Sequence, residues 1–458
     1  MKVCIVGTGA YGSYIAKCLI DKYPKLEIIM LDVGSAKVKS EKEIGIFSMN
    51  SRQNYSGLSL GRYFGLGGTT SKWGGQLLFY SANDFIAPNG FMSDLVELNV
   101  RLRKVVLRRF GINDERKEKV HTYGLFQKPG IWLSVFKRNI FRIFKLAKSS
   151  QITIIENARV VDLEMHENKV VGVNYIQSGI VKSIKSDYYF LAVGAFESAR
   201  IALTSKLFRK NIIPFSDHIS KRFIKIKGGT RVGSIDFRFF MSGWSLKTSR
   251  LIGEIDDNSF YLHPVYNTDF PFFKAIKNVL FKHDLSMKDL RAFIRDLPSF
   301  LVFIYSALIK REIHVFKNEW FIYLDMDNPT KSSHVKLSDE LDSWGVNGLE
   351  VVYEIGDTTK NLLHQIKERT VNLLIDHKVK HTVLDDNLSL DNLEDIYHPY
   401  KMFEFDSLRD YYTRWPNMIM VNTGILPRCG GINPTAALFP LIENFISHEF
   451  KEKVESSN

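Results

Sequence analysis

The sequence predicts an α/β protein in two domains. One is built on a central parallel sheet with helices and a small β-meander, the other on an antiparallel sheet covered by helices. Three observations predict this. The chain opens with strand, glycine turn, helix and second strand in direct succession, the start of a parallel sheet. Residues 216–265 instead alternate apolar and polar, as in Phe223-Ile224-Lys225-Ile226-Lys227 and Ile235-Asp236-Phe237-Arg238-Phe239, the period of a half-buried antiparallel strand. Helical spacing appears at 92–110 (Leu95, Leu98, Leu102, Val105, Val106) and at 357–377 (Leu362, Leu363, Ile366, Val371, Leu374). At 458 residues the chain exceeds one ordinary domain.

The opening unit carries the most information. Lys2-Val3-Cys4-Ile5-Val6 is a short β-branched run that leads into Gly7-Thr8-Gly9-Ala10-Tyr11-Gly12. A helical pattern follows from Ser13 to Lys22, with Ile15, Ala16, Leu19 and Ile20 on one side. The second strand, Glu27-Ile28-Ile29-Met30-Leu31, ends at Asp32. This is the G-x-G-x-x-G fingerprint of a Rossmann-like βαβ unit, with an acid twenty residues after Gly12. Gly7 makes the tight turn, Gly9 admits a pyrophosphate to the backbone, and Gly12 lets helix and strand pack closely. The helix N-terminus presents free N–H groups to phosphate, and Asp32 can accept from ribose hydroxyls. The fingerprint does not separate NAD from FAD.

Composition sets the class of protein. A hydrophobic content of 45% with 24% charged residues suits a folded soluble chain. The net charge of +12 favours anionic ligands, phosphorylated substrates or an anionic membrane face. No helix-turn-helix, zinc or RNA-binding signature accompanies the charge, which argues against nucleic acid. The three cysteines, Cys4, Cys18 and Cys429, lack paired or metal-type spacing, so a reducing compartment and no metal site are expected. The fingerprint strand begins at Lys2, so no signal peptide is expected, and the expected location is cytoplasmic.

After Asp32 a turn (Val33-Gly34) and a polar stretch to Asn54 show little periodicity. The run from Arg62 to Gln76 then holds five glycines and three hydroxyls within residues 65–75, too many to build a packed element. Such a backbone can lie flat against a ligand with its amides and hydroxyls aimed at polar atoms. Gly67-Gly68-Thr69-Thr70-Ser71-Lys72-Trp73-Gly74-Gly75, following the strand fingerprint, resembles the glucose–methanol–choline (GMC) family of FAD-dependent oxidoreductases.

Three later stretches carry the same resemblance. Asn157-Ala158-Arg159-Val160-Val161 through Val170-Val171-Gly172-Val173 reads as hairpin strands. Tyr188-Tyr189-Phe190-Leu191-Ala192-Val193-Gly194-Ala195-Phe196-Glu197-Ser198-Ala199-Arg200 is similar to the family's strand-to-helix segment near the adenosine half of FAD. His334-Val335-Lys336-Leu337-Ser338 through Asp342-Ser343-Trp344-Gly345 resembles the family's R-V-x-L-S-x-x-x-D-x-x-G run. Gly431-Ile432-Asn433-Pro434-Thr435-Ala436 matches the N-P-T that opens the last helix, here expected at Leu438 to Phe450. The order of these stretches selects FAD over NAD.

The resemblance implies interleaved domains: FAD-binding parts at 1–90, 151–215 and 416–458, a mostly helical insertion at 91–150, and a substrate domain at 216–415. It implies a cofactor set of Gly7, Gly9, Ala10, Gly12, Asp32, Gly67, Gly68, Thr69, Thr70, Lys72, Trp73, Gly74, Gly75, Val161, Ala192, Gly194, Asn422, Pro434 and Thr435. It also implies hydride transfer from an alcohol to flavin N5, with the protein handling the hydroxyl proton. Histidine suits that task near neutral pH. In the family this histidine lies some tens of residues before N-P-T. Of twelve histidines, His398 fits that place, thirty-five residues before Asn433. His398 is therefore assigned as base and Asn433 as the amide that hydrogen-bonds the substrate oxygen. His364, His377 and His381 have no motif around them.

The chain also departs from the family. After the base the family often shows H-x-x-G-T, where this chain has His398-Pro399-Tyr400-Lys401-Met402. Its D-x-S before the last helix reads Asn422-Thr423-Gly424 here, which removes an expected carboxylate contact. Lys72 occupies the neighbourhood where some relatives carry a histidine bonded to flavin, so non-covalent FAD is implied. The departures mark a divergent branch.

Residues 270–311 stand outside the family pattern. Their apolar core, Phe300 to Ile309, is half of what a bilayer-spanning helix needs. Mixed Phe and Ile with Lys and Arg, ending in Lys310-Arg311, fits an interfacial helix, a lid or a dimer contact. An interfacial helix would suit a lipid-linked or membrane-borne substrate.

Three functions stand open on sequence alone. The first is FAD-dependent oxidation of an alcohol on a sugar, polyol or glycoconjugate. The second is a flavoprotein that has lost this chemistry and serves as a binding or assembly component. The third is a non-oxidative flavin-dependent sugar isomerase. The residues select neither an electron acceptor nor an oligomeric state.

Overall fold

The computed structural model describes residues 1–134, 137–267, 270–277, 286–390 and 392–455. Residues 278–285, within the 270–311 segment, lie outside the described residues.

The first domain is organised on a five-stranded parallel sheet. Its strands run in the order Met418–Met420, Tyr188–Leu191, Lys2–Val6, Glu27–Leu31 and Ile152–Ile155. In register, Val3 lies between Tyr188 and Ile28. Val3, Cys4 and Ile5 are fully buried. A parallel strand covered on both faces needs an unbroken apolar run, and the sequence supplies one. The helix Ala10–Lys22 packs against the helix Phe439–Ser447, where the Tyr14 and Phe439 rings stack at 4.3 Å. The Tyr14 hydroxyl donates to Glu443 at 2.6 Å. The meander is antiparallel: Arg159–His166, Lys169–Gln177 and Ile180–Ile184.

The second domain is built on a large antiparallel sheet. Its main path runs Lys380–Val383, His218–Lys227, Glu319–Asp327, Asn258–Tyr266, Ser245–Ile255, Phe126–Trp132 and Gln76–Leu77. A smaller sheet orders Ile212–Pro214, His334–Leu341, Asn347–Tyr353 and Ser48–Arg52, the last pair parallel. The two long helices lie at Gly90–Arg109 and Thr359–Asp376, close to their expected places.

Four segments differ from expectation. Phe126–Trp132 lies in a stretch expected to be mostly helical, yet it is a strand paired with Ser245–Ile255. Its inward residues include Lys128, which is buried by ion pairs to Asp84 (2.5 Å) and Glu118 (2.9 Å), so its core face does not read as apolar. Ser48–Arg52, polar and aperiodic in sequence, is a strand because Asn347–Tyr353 supplies its backbone partners. Only Ile235–Asp236 of the 235–239 pattern is strand, paired with Arg231–Val232. The last helix is divided into a tight turn at Pro434–Leu438, a helix at Phe439–Ser447 and another at Glu449–Glu455. Cys4, Cys18 and Cys429 are buried and unpaired.

Candidate functional site

A cleft of about 230 Å³, partly open to solvent, lies at the carboxyl ends of the parallel strands, where Val6, Leu31 and Ala192 reach its wall. That edge is where open α/β sheets bind ligands. Of the expected cofactor residues, Gly7, Gly9, Ala10, Asp32, Gly68, Thr69, Thr70, Trp73, Ala192, Gly194 and Thr435 line it.

The fingerprint glycines divide their tasks. Gly7 has φ +100°, and a Cβ there would sit 2.6 Å from the Ala192 carbonyl oxygen. A Cβ on Gly12 would lie 1.9 Å from the Gly7 oxygen, so this close approach of helix to turn requires glycine. At Gly9 and Gly194 an added Cβ would meet nothing within 4 Å, so both present bare backbone to open space. The helix that starts after Gly9 has no side-chain cap and no acid in its first turn. Its first N–H groups and the positive end of its dipole are free to meet an anion.

Asp32 is buried and already engaged. Its Oδ2 accepts from the Thr8 amide (3.1 Å) and hydroxyl (2.5 Å), and its Oδ1 from the Gly34 amide (2.9 Å). The carboxylate thus braces the fingerprint loop, and each oxygen keeps acceptor capacity for a ribose hydroxyl.

Other expected cofactor residues lie off the cleft wall. Gly12 is packed beneath the turn. Gly67 faces Asn139, whose Oδ1 would be 2.1 Å from an added Cβ. Gly74 and Gly75 abut Trp132 (2.5 Å) and Leu133 (3.2 Å), serving the packing of the loop. Lys72 points to solvent. Ala158, Arg159 and Val160 line the cleft, while Val161 lies at an irregularity in the pairing with Lys169–Gln177, its carbonyl accepting from Arg200 at 2.9 Å. Asn422 is buried with its Oδ1 accepting from the Gly424 amide (2.8 Å), and Thr423 reaches the cleft instead. Pro434 starts the tight turn that delivers Thr435.

Sequence reasoning missed a charged wall. Glu197 is fully enclosed among Arg62 (3.0 Å), Arg200 (3.1 Å) and Arg159, and Arg159 also reaches Asp342 at 3.1 Å. Burial alone would raise the Glu197 pKa, but Arg159, Arg200 and Arg62 outweigh it and hold the carboxyl well below the usual range. Of these five residues, all but Asp342 line the cleft. The i, i+3 spacing of Glu197 and Arg200 was a signal for one pair; the cross-chain partners carry none.

The expected catalytic pair is not itself in the cleft wall, which Pro399 and Thr435 line instead. His398 and Asn433 are both half-buried. The two are not hydrogen-bonded to each other; His218 and Tyr261 connect them. The His398 ring lies 5.7 Å from His218, nearly perpendicular to it, and His218 packs 5.7 Å from Tyr261. The Tyr261 hydroxyl donates to Asn433 Oδ1 at 3.1 Å, and Asn433 Nδ2 donates to Gln76 Oε1 at 3.1 Å. Asp217 holds the backbone on this side. Its Oδ1 accepts from the amides of His218 (2.7 Å) and His398 (2.8 Å), its Oδ2 from the Tyr55 hydroxyl (2.5 Å).

Electrostatics keep the His398 ring neutral. Burial first, then the neighbouring His218 charge, lower its pKa to about 3, with Arg250 acting the same way and Asp325 opposing. Burial opposes a charge on His218, but Cys429 and the Asp327 carboxylate, 3.2 Å away, hold its pKa well above the ordinary value. Burial raises Asp217 to about 7. The His398 Nδ1 is buried with no partner in the protein. A neutral imidazole with a free nitrogen is able to take a proton.

No protein-family model matches the sequence, and no curated protein sequence matches it. Solved structures do match the fold. Pyridoxine 4-oxidase from Mesorbium loti superposes with a TM-score of 0.60 at 12% identity, over 98% of this chain and 99% of that one. Formate oxidase of Aspergillus oryzae RIB40, in a structure concerned with FAD modification, gives a TM-score of 0.54 at 10% identity, over 98% of each chain. The chain shares the fold of these two proteins. Its Rossmann-like half carries the glycine cleft and its antiparallel half carries Tyr261 and His218. At these identities the shared property is the fold.

The glycine geometry separates packing from binding. Gly12→Ala should destabilise the protein by roughly 1–3 kcal/mol through overpacking, read as a lower Tm before any ligand is added. Gly9→Ala should leave that Tm nearly unchanged and abolish retention of a dinucleotide, read by absorbance after gel filtration. Equal Tm losses in the two variants would contradict this division.

Proposed function

We propose that this protein binds FAD non-covalently and oxidises an alcohol of a sugar or polyol, with His398 as base and Asn433 as donor to the substrate oxygen. What supports the reading is adjacency: Pro399, next to His398, and Thr435, two residues after Asn433, line the same cavity as Gly9 and Asp32.

The residues present fit such a cofactor. The bare backbone at Gly9 and Gly194 leaves room for it, and the uncapped helix start suits its pyrophosphate. Asp32 would hold the ribose, and Gly68, Thr69 and Thr70 would face the rest. FAD, when bound, supplies acceptance of a hydride from the alcohol carbon. His398 takes the hydroxyl proton on an imidazole nitrogen. The Asn433 amide has a second N–H with which to hold the substrate oxygen beside that ring. Tyr261 and Gln76 fix the amide orientation by occupying its Oδ1 and one N–H. Asp217 fixes the His398 backbone.

The purified protein should be yellow, should release its flavin into the supernatant on acid precipitation, and should bleach anaerobically with its alcohol. His398→Ala should keep the colour and lose the bleaching; unchanged bleaching removes His398 from the role of base. Because the His398 pKa is depressed to about 3, the basic form persists as pH falls through 6.5. The acid limb of kcat/KM, measured by brief pH-jump from neutral stock, should therefore fall well below pH 6. A limb centred at 6–7 would contradict the burial and charge environment described above.

We also infer that the 287–311 face docks on an anionic membrane surface. The helix Leu297–Tyr305 and the turn after it bury little beyond Ser306. Phe300 and Phe303 pack inward on Phe272, while Leu301 (58%), Leu308 (63%) and Ile309 (67%) are exposed. Exposed Lys288, Arg291, Arg295, Lys310 and Arg311 flank this apolar strip, the charge pattern that complements anionic headgroups. No described helix is long and apolar enough to cross a membrane. The protein should sediment with phosphatidylserine vesicles at low salt and be released at high salt. Full recovery in the vesicle-free fraction, or a concentration-dependent dimer that covers this face, overturns the inference.

A further inference from the structure

Arg250 projects from the strand Ser245–Ile255 into the same cluster and is only 5% exposed. Its guanidinium stacks on the Tyr261 ring, 4.1 Å from the centroid. Its Nη2 donates to Gln76 Oε1 at 2.5 Å, and its Nη1 lies 3.5 Å from Asn433 Oδ1. Its Nε is buried with no partner.

All of these contacts are to neutral groups. No ion pair to Arg250 occurs among the described residues. The nearby carboxylates serve other groups: Asp325 pairs with His263 at 3.1 Å, while Asp327 pairs with His218 and accepts from the Tyr400 hydroxyl (3.0 Å) and the Ser259 amide (2.8 Å). A guanidinium is charged at every pH the protein meets. Holding that charge out of water without a counter-ion is strongly unfavourable. Elsewhere in this fold the protein supplies the acid, as Glu197 does for three arginines. Here the nearest such group, Asp325, lies cross-strand from Tyr261 and is ion-paired to His263 rather than to Arg250.

We propose that Arg250 receives an oxyanion carried by the substrate itself, a carboxylate or a phosphate ester on the same molecule whose hydroxyl meets His398 and Asn433. This rests on the flavin-dependent alcohol oxidation proposed above and narrows its substrate class to hydroxy acids, sugar acids and sugar phosphates. The Nε–H has no partner in the protein, so the guanidinium keeps a charged donor for a ligand oxygen there. Stacking on Tyr261 fixes the plane of the guanidinium before the ligand arrives. An oxyanion placed there would also offset the positive charge that Arg250 directs at His398, so the base would strengthen as the correct substrate binds.

The test is binding to the flavin-loaded protein, read from perturbation of the visible flavin spectrum. Oxalate and glycolate form the carboxylate arm, inorganic phosphate and phosphoglycolate the phosphate arm. Oxamide, ethylene glycol and chloride serve as controls. At least one oxyanion should give a saturable perturbation that the controls do not. Arg250→Met should weaken that binding about 10- to 100-fold, the range for a charged hydrogen bond. Arg250→Lys should recover part of it, and both variants should retain flavin. The stronger arm identifies the source of the oxyanion. No perturbation by either arm, equal effects of chloride, or unchanged affinity in Arg250→Met overturns the proposal. A protein that takes up no flavin overturns the oxidoreductase reading instead, and shows this before any anion is added.

Discussion

The approach of Gly12 to the Gly7 carbonyl is the contact on which the rest depends. With no side chain between them, the helix Ala10–Lys22 settles against the strand Lys2–Val6 and turns its uncapped end toward the cleft. Asp32 then reaches back to Thr8 and closes the loop from the next strand. The geometry is set by hard-sphere limits, which tolerate little variation, whereas the chemistry at the far end is set by softer electrostatic balances.

Those balances differ from place to place. Beside the cleft, three arginines surround Glu197 and the charges are mutually satisfied. Around His398 the charges are less evenly matched: Asp327 sits beside His218, Arg250 contacts neutral groups, and burial with the His218 charge keeps His398 neutral against the opposing field of Asp325.

The legible parts of the sequence were those in which one local stretch carries its own reason. The fingerprint glycines, Asp32, the glycine-rich loop and the two long helices show in sequence because turn geometry and periodicity are local. Phe126–Trp132 and Ser48–Arg52 did not show, since much of their strand pairing is to segments more than a hundred residues away. The same limit hid the walls of the cleft. Arg62 and Arg159 matter through Glu197, and Arg250 through Gln76 and Asn433, none of them neighbours in the chain.

The parallel sheet joins pieces from three distant parts of the chain, and its outermost strand, Met418–Met420, is made late. During synthesis the neighbouring strand Tyr188–Leu191 must wait with an unpaired flank until that final piece leaves the ribosome. Its pairing with Lys2–Val6 can form early, but its other flank stays an open edge until Met418–Met420 arrives.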